Sequence, residues 1–212
     1  MKVIQIKNLC KNFDEHILFK NFNLIINDGD FLCITGDSGT GKTTLLNMIG
    51  QLEPYQEGEI LFDGKPIETK KDKLDLFRKK LGFIFQNFVL VESKTVEENL
   101  KLIRKEDRTD VSIDSALKMV GLDDKKNSKV YTLSGGEQQR VAMARLYLKE
   151  CKYILADEPT GSLDRKNAEN IFEILEQLND IGKTIIIVTH DEYLKNKVEK
   201  RVNLNDKLLK LP

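Results

Sequence analysis

Two hydrophobic rhythms divide the chain. From Val3 to Ile6 apolar and polar side chains alternate, the period-2 pattern of a strand with one buried face. Residues 22–26 (FNLII) and 31–35 (FLCIT) flank Asn27-Asp28-Gly29-Asp30, a turn signal that predicts an antiparallel hairpin. Residues 59–67 repeat the theme, with Asp63-Gly64 at the turn. Between them, residues 45–49 read as a helix closed by Gly50.

From about residue 87 to residue 150 the rhythm turns helical. Thr95 and Glu98 have the spacing of a capping box. Ala116, Met119 and Val120 fall on one helical face, and Gly121 follows as a stop. The last third returns to strand–helix–strand. Residues 152–156 form a short apolar strand. Ile171, Ile174, Leu175 and Leu178 define a helix over about 167–180. The unbroken apolar run 184–188 suits a parallel strand buried on both faces. A β/α core interrupted by a helical insertion is the simplest reading.

Composition narrows this further. With 212 residues the chain suits one domain, and 34 basic against 34 acidic side chains leave no net charge. Nothing in that balance suggests a nucleic-acid-binding surface. No apolar run approaches the ~18–20 residues of a membrane span, and no signal peptide is expected. Cys10, Cys33 and Cys151 are isolated and odd in number, which fits free thiols in a reducing compartment. A role at a membrane would therefore require a partner.

The chemistry sits at strand ends. Residues 36–43 read GDSGTGKT, a G-x-x-x-x-G-K-[ST] loop between a strand and a helix. Its backbone N–H groups can wrap phosphates, with the helix dipole behind them. Lys42 would reach the β- and γ-phosphates and Thr43 would ligate Mg²⁺. Residues 153–157 form a strand ending in Asp157, which would hold the metal; Glu158 follows, placed to deprotonate a hydrolytic water. Two further strands end at Gln86 and His190. Each alone reads as an ordinary polar residue. Together, four strands ending in such groups point to one site at the carboxyl edge of a sheet. His16, near a polar turn, reads as surface.

Residues 133–140, LSGGEQQR, pose a separate question. Ser134 and Glu137 form a second capping box, but two glycines in a helix's first turn cost roughly 1 kcal/mol each against alanine. Bare backbone and a serine hydroxyl at a helix start can close on phosphate oxygens. The chain thus carries two phosphate-facing helix starts, of which only the first has a lysine and a metal donor.

In this order, GDSGTGKTT, LSGGEQQR, YILADEPT, GSLD and IIIVTHD resemble the nucleotide-binding subunit of ABC transporters over essentially the whole chain. The resemblance implies an α/β fold: a P-loop NTPase (RecA-like) core, an antiparallel β subdomain and an inserted α-helical subdomain. One domain, 1–212, would divide into 1–86 with 151–212, and a helical signature subdomain 87–150. It implies that Gly36, Asp37, Ser38, Gly39, Thr40, Gly41, Lys42, Thr43 and Thr44 bind ATP. Phe13 would stack on adenine. Ser134, Gly135, Gly136, Glu137 and Gln138 form the signature motif and Asp164 the D-loop. Glu158, His190 and Gln86 would be catalytic; Thr43, Gln86 and Asp157 would hold Mg²⁺.

The resemblance further implies a head-to-tail dimer, each ATP lying between one copy's phosphate loop and the other's signature motif. The subunit would sit in the cytoplasm, at the inner face of the membrane, through a separate permease subunit. GEQQRVAMAR and LADEPTGSLD are similar to the macrolide- and lipoprotein-exporter and antimicrobial-peptide transporter group. FIFQNFVLVESKTVEENL and LLNMIGQLEPYQEGEI look closest to bacteriocin-export ATPases of the lactococcin group. The alternatives are a non-transport ATP switch of the cell-division type, or lipoprotein or antibiotic export with the same ATPase chemistry. The short segment after His190 leaves little room for an accessory regulatory domain.

Overall fold

The structure is a computed structural model and describes residues 2–161 and 163–205. Ser162, within the GSLD motif, lies outside them. Two sheets organise the chain. The first is antiparallel: β1 (Lys2–Phe13) and β2 (His16–Asn27) form a long hairpin around Asp14-Glu15. β1 also pairs with β4 (Glu57–Phe62), and β4 with β5 (Lys65–Pro66) across the Asp63-Gly64 turn.

The second sheet is parallel, in the order β6-β7-β8-β3-β9. It contains β3 (Phe31–Thr35), β6 (Leu81–Ile84), β7 (Tyr153–Asp157), β8 (Thr184–Val188) and β9 (Lys200–Asn203). This corrects the hairpin expected around Asn27–Asp30. The turn exists, with Asp30 N–H donating to Asn27 O, but it carries the chain from one sheet to the other. β3 pairs in parallel with β8, Phe31 opposite Ile185, and does not fold back on β2. The reason is burial. FLCIT hides Leu32, Cys33 and Ile34 completely, as a strand covered on both faces must.

Side-chain alternation along the parallel strands divides the interior into two cores. Leu32, Ile34, Leu155, Ile186 and Val188 face α1 (Lys42–Ile49) and the antiparallel sheet. Cys33, Ile154, Ala156, Ile185 and Ile187 face α5 (Gly135–Leu148) and α6 (Arg165–Asp180). Each fully buried Leu, Ile or Val side chain contributes about 1.5–3 kcal/mol of transfer free energy. The predicted stripe Ile171, Ile174, Leu175 and Leu178 is buried throughout.

Between β6 and β7 the chain forms α3 (Val96–Leu100) and α4 (Ile113–Met119) before α5. The Thr95–Glu98 capping box is present in both directions. Ala116 and Val120 are buried as expected, whereas Met119 is exposed and Leu117 takes its place in the core. α2 (Lys70–Lys79) had no clear signal in the sequence, because Leu76 is its single buried side chain. α7 (Glu192–Lys197) follows β8. No helix among the described residues is long and apolar enough to cross a membrane.

Candidate functional site

Parallel pairing sets the site. β3, β6, β7 and β8 all run the same way, so the phosphate loop, Gln86, Asp157-Glu158 and His190 emerge at one edge of the sheet. The loop turns tightly into α1. Gly41 caps that helix with φ 96, and a Cβ there would lie 2.8 Å from Leu18 on the neighbouring sheet. Only glycine meets both demands. No side chain caps α1, so its first N–H groups remain available to an anion.

Lys42 folds across the loop and donates to Gly36 O at 2.9 Å and to Asp37 O at 2.8 Å. Asn205 braces the loop from the far side, its Oδ1 accepting from Asp37 N–H at 3.1 Å. Thr43 lies in the first turn of α1 and Asp157 ends β7, and the Thr43 hydroxyl donates to Asp157 Oδ1 at 3.0 Å. Burial pushes the Asp157 carboxyl above its usual range. The adjacent Glu158 charge adds to this; the Thr43 hydroxyl and Lys42 oppose it.

Glu158 has φ 46, the left-handed region a glutamate seldom adopts. Its N–H donates to Val188 O at 2.9 Å, which ties the turn to β8. Glu158 Oε1 lies 2.8 Å from His190 Nδ1, and His190 N–H donates to Glu158 Oε2 at 3.3 Å. The histidine is 70 % exposed and the glutamate 15 %, so the ring covers the carboxylate from the solvent side.

These groups face a cavity of about 560 Å³. Its walls include Gly36, Ser38, Gly39, Gly41, Lys42, Thr43, Thr44, Glu158 and His190, with Phe13, His16 and Leu18 from the antiparallel sheet. Phe13 is 46 % exposed at the end of β1, so it is not a core residue. The Lys11 ammonium sits 4.3 Å from its ring centre. His16 is exposed, as read from the sequence, but it also lines this cavity. Leu18 and Asn205 carried no sequence signal, since their roles depend on contacts distant along the chain.

Other expected residues lie elsewhere. Gln86 is exposed beyond β6 and is not among those lining the cavity; its Nε2 is 3.7 Å from where a Cβ on Gly161 would sit. Asp37, Thr40 and Asp157 are not among the lining residues; Thr40 and Lys42 donate to Asp37 O within the loop, and Asp157 accepts from Thr43. Asp164 caps α6 with its carboxylate. None of Ser134 to Gln138 lines the cavity.

The Ser134 segment is nonetheless a formed helix start. Ser134 Oγ accepts from Glu137 N–H, and Glu137 Oε2 accepts from Ser134 N–H at 2.8 Å. Ser134 holds the Glu137 carboxyl below its usual range through that backbone bond. The two glycines differ. Gly136 is buried, and a Cβ on it would lie 2.6 Å from Asn167 Oδ1. Gly135 is exposed, with nothing within 4 Å of its Cβ position and no left-handed backbone. Packing inside the chain therefore explains Gly136 and leaves Gly135 unexplained.

A parallel sheet with a phosphate loop at its carboxyl edge, flanked by an antiparallel sheet and a helical insertion, defines a P-loop nucleotide-binding cassette. The chain belongs to the ABC transporter family, whose sequence profile matches residues 19–161. It is 41 % identical over 218 residues to the macrolide export ATP-binding/permease protein MacB of Mannheimia succiniciproducens, covering 97 % of this chain. The match spans 34 % of that relative, so the chain corresponds to about a third of the exporter's length. It is also 40 % identical to the ABC transporter ATP-binding protein MJ1508 of Methanocaldococcus jannaschii, over 96 % of both chains. Among solved structures, the dimeric bacterial ABC transporter cassette MJ0796 superposes with a TM-score of 0.83 at 38 % identity. That match covers 94 % of this chain and 93 % of the cassette. A second structure of MJ0796, a dimeric post-hydrolysis state bound to ADP and Pi, matches with a TM-score of 0.80 at 36 % identity over 94 % and 93 % of the two chains.

Proposed function

We propose that the chain is the ATP-hydrolysing subunit of an exporter and works as a head-to-tail pair. One observation carries this reading. Two helix starts have the make-up that suits phosphate, and the second, at Ser134, does not line the cavity that the first one lines. A second copy would bring its Ser134 and Gly135 to this chain's phosphate loop, which gives the open Gly135 a purpose. Two of the cassettes similar to this chain are dimeric, which supports pairing of two copies. In this reading residues 1–212 act as one domain, with 87–150 as the arm that carries the signature motif.

Within the site, the loop 36–44 binds the ATP phosphates, with Lys42 leaving its carbonyl partners for the β- and γ-phosphates. Phe13 offers its exposed ring to the base. The donors at Thr43 and Asp157 are hard oxygens held together at 3.0 Å, a pair that suits Mg²⁺. Thr43, Asp157 and Gln86 would hold the ion, whose charge would offset that of the phosphates. Glu158 takes the proton from the attacking water, and His190 fixes the carboxylate's direction.

A surface for the membrane partner is part of this reading. A second cavity, of about 400 Å³, lies between β6 and the helical insertion. Phe77, Phe83, Phe85 and Phe88 line it, together with Arg78, Arg104, Arg145 and Lys149 against one acid, Asp107. We infer that it receives a cytoplasmic helix of the permease with an apolar face and an acidic residue. The cargo we favour is a bacteriocin or another peptide, on the motifs similar to bacteriocin-export ATPases; macrolides are the competing cargo.

The test is to express the chain from its native operon, purify by a tag on this chain, and assay ATP-driven transport in vesicles. Co-purification with ATP-dependent peptide movement supports the reading. Absence of any membrane protein in the purified material contradicts it.

A further inference from the structure

The face of α5 that carries the signature motif is bolted to the segment following the catalytic glutamate. Gly136, Gln139 and Arg140 share that face, being three and four residues apart on one helix. The Gln139 amide donates to Pro159 O at 2.8 Å, one residue past Glu158. Arg140 Nη1 donates to Asn167 Oδ1 at 3.0 Å. Gly136 packs directly on the Asn167 amide.

Asn167 is the centre of this joint. Its side-chain oxygen accepts from Arg140, while its Nδ2 donates to Asp164 Oδ2 at 2.8 Å. Its backbone N–H donates to the other carboxylate oxygen, Asp164 Oδ1, at 2.9 Å. The amide can face only one way, because Arg140 offers donors and Asp164 offers acceptors. One side chain thus fixes the Asp164 carboxylate and the first turn of α5 relative to each other. Asn167 does not line the nucleotide cavity.

We propose that Asn167 is a positioning residue that makes the Ser134 helix start and the Asp164 loop one rigid unit, presented together to a second copy of the chain. The inference rests on the two-copy reading above. It assigns Gly136 to this internal joint and leaves Gly135 to the contact between copies. It also places Glu158 and Ser134 of one chain on a common support, so the site a chain owns and the half-site it lends are mechanically linked.

Replacing Asn167 with alanine removes the bridge and keeps the helix cap, because the cap bond to Asp164 Oδ1 comes from the backbone. The experiment compares Asn167→Ala, Gly136→Ala and the double variant with their parent, all carrying Glu158→Gln so that ATP-bound dimers accumulate. Thermal unfolding, ATP binding by the dilute monomer and ATP-dependent dimerisation by sedimentation are measured for each. Asn167→Ala is expected to bind ATP as the parent does and to dimerise about tenfold more weakly, because two hydrogen bonds to charged groups are lost within each chain and part of that loss reaches the contact between copies.

Gly136→Ala is expected to lower the unfolding temperature, and adding Asn167→Ala to restore it by clearing the methyl group's space. Dimerisation should remain weak in the restored double variant. A purely structural joint would recover both together, which would overturn the proposal. So would an Asn167→Ala chain that dimerises like its parent. If the parent itself stays monomeric with ATP, the two-copy reading fails and the role of Asn167 falls with it.

Discussion

Glu158 and His190 leave neighbouring parallel strands and meet at 2.8 Å, Oε1 against Nδ1. The carboxylate has a fixed direction, and its backbone is held in a left-handed turn by Val188 O. Glu158→Gln keeps the shape and removes the group proposed as the base. Hydrolysis should fall by about 10²–10⁴, the usual contribution of a general base, while ATP affinity is retained. Phosphate release and equilibrium nucleotide binding, measured side by side, check this. An unchanged turnover rate would remove Glu158 from the mechanism.

Lys42 bridges two loop carbonyls, and among the described residues its ammonium is the one lysine or arginine charge lining the cavity. Lys42→Ala should weaken ATP binding by about 10–100-fold, as expected for losing charge-assisted hydrogen bonds to phosphate. Titration with a fluorescent ATP analogue reads this directly. A variant that binds normally but fails only in turnover would mean that another group carries the phosphate charge.

The paired glycines should separate in a stability measurement. At Gly135 an alanine meets open space and gains helix propensity, so the unfolding midpoint should stay level or rise. At Gly136 it meets Asn167, and overpacking should destabilise by about 1–3 kcal/mol. Urea denaturation of the ligand-free variants tests the pair. Equal effects at both positions would contradict the packing assigned to Gly136.

Asp63, at the turn between β4 and β5, ties both sheets together. It accepts from Lys80 at 2.7 Å and from the Tyr153 hydroxyl at 2.7 Å, with Lys152 at 3.4 Å. Burial alone would raise its carboxyl pKa, but Lys80 and Tyr153 outweigh it and hold the group below the usual carboxylate range. A carboxyl depressed in the folded chain stabilises the fold above its unfolded pKa. That contribution is lost as pH falls through the folded value. Asp63→Asn should cost about 1 kcal/mol at neutral pH, with solvent screening included. The difference from the parent should shrink below the usual carboxylate range. Urea midpoints for both chains at pH 7 and pH 3 provide the comparison, and a difference that grows in acid would reverse the assignment.

The sequence revealed the site more readily than the path of the chain. The loop 36–43 was legible because its physics is local: glycines, a lysine and a helix start in one stretch. The strand ends at Asp157 and His190 were legible as a set. The Asn27–Asp30 turn misled because local turn chemistry looks the same whether a strand folds back or crosses to another sheet. The pairing of Phe31 with Ile185 decided that outcome. Met119 followed the helical period but lies beyond the buried stripe. α2, with only Leu76 buried, left too little pattern to read. Leu18, Asn205 and Asn167 act through contacts distant in sequence, where periodicity carries no information.

The central claim is that Ser134 serves a nucleotide held by another copy. Ser134→Arg, placed in the Glu158→Gln chain, tests it through two readouts: ATP binding by the dilute monomer, and sedimentation with saturating ATP. The account predicts nearly unchanged monomer binding and complete loss of the ATP-dependent dimer, since an arginine at an exposed helix start would intrude only between copies. Weakened ATP binding in the monomer would mean that Ser134 faces the chain's own nucleotide, and the two-copy site would be contradicted.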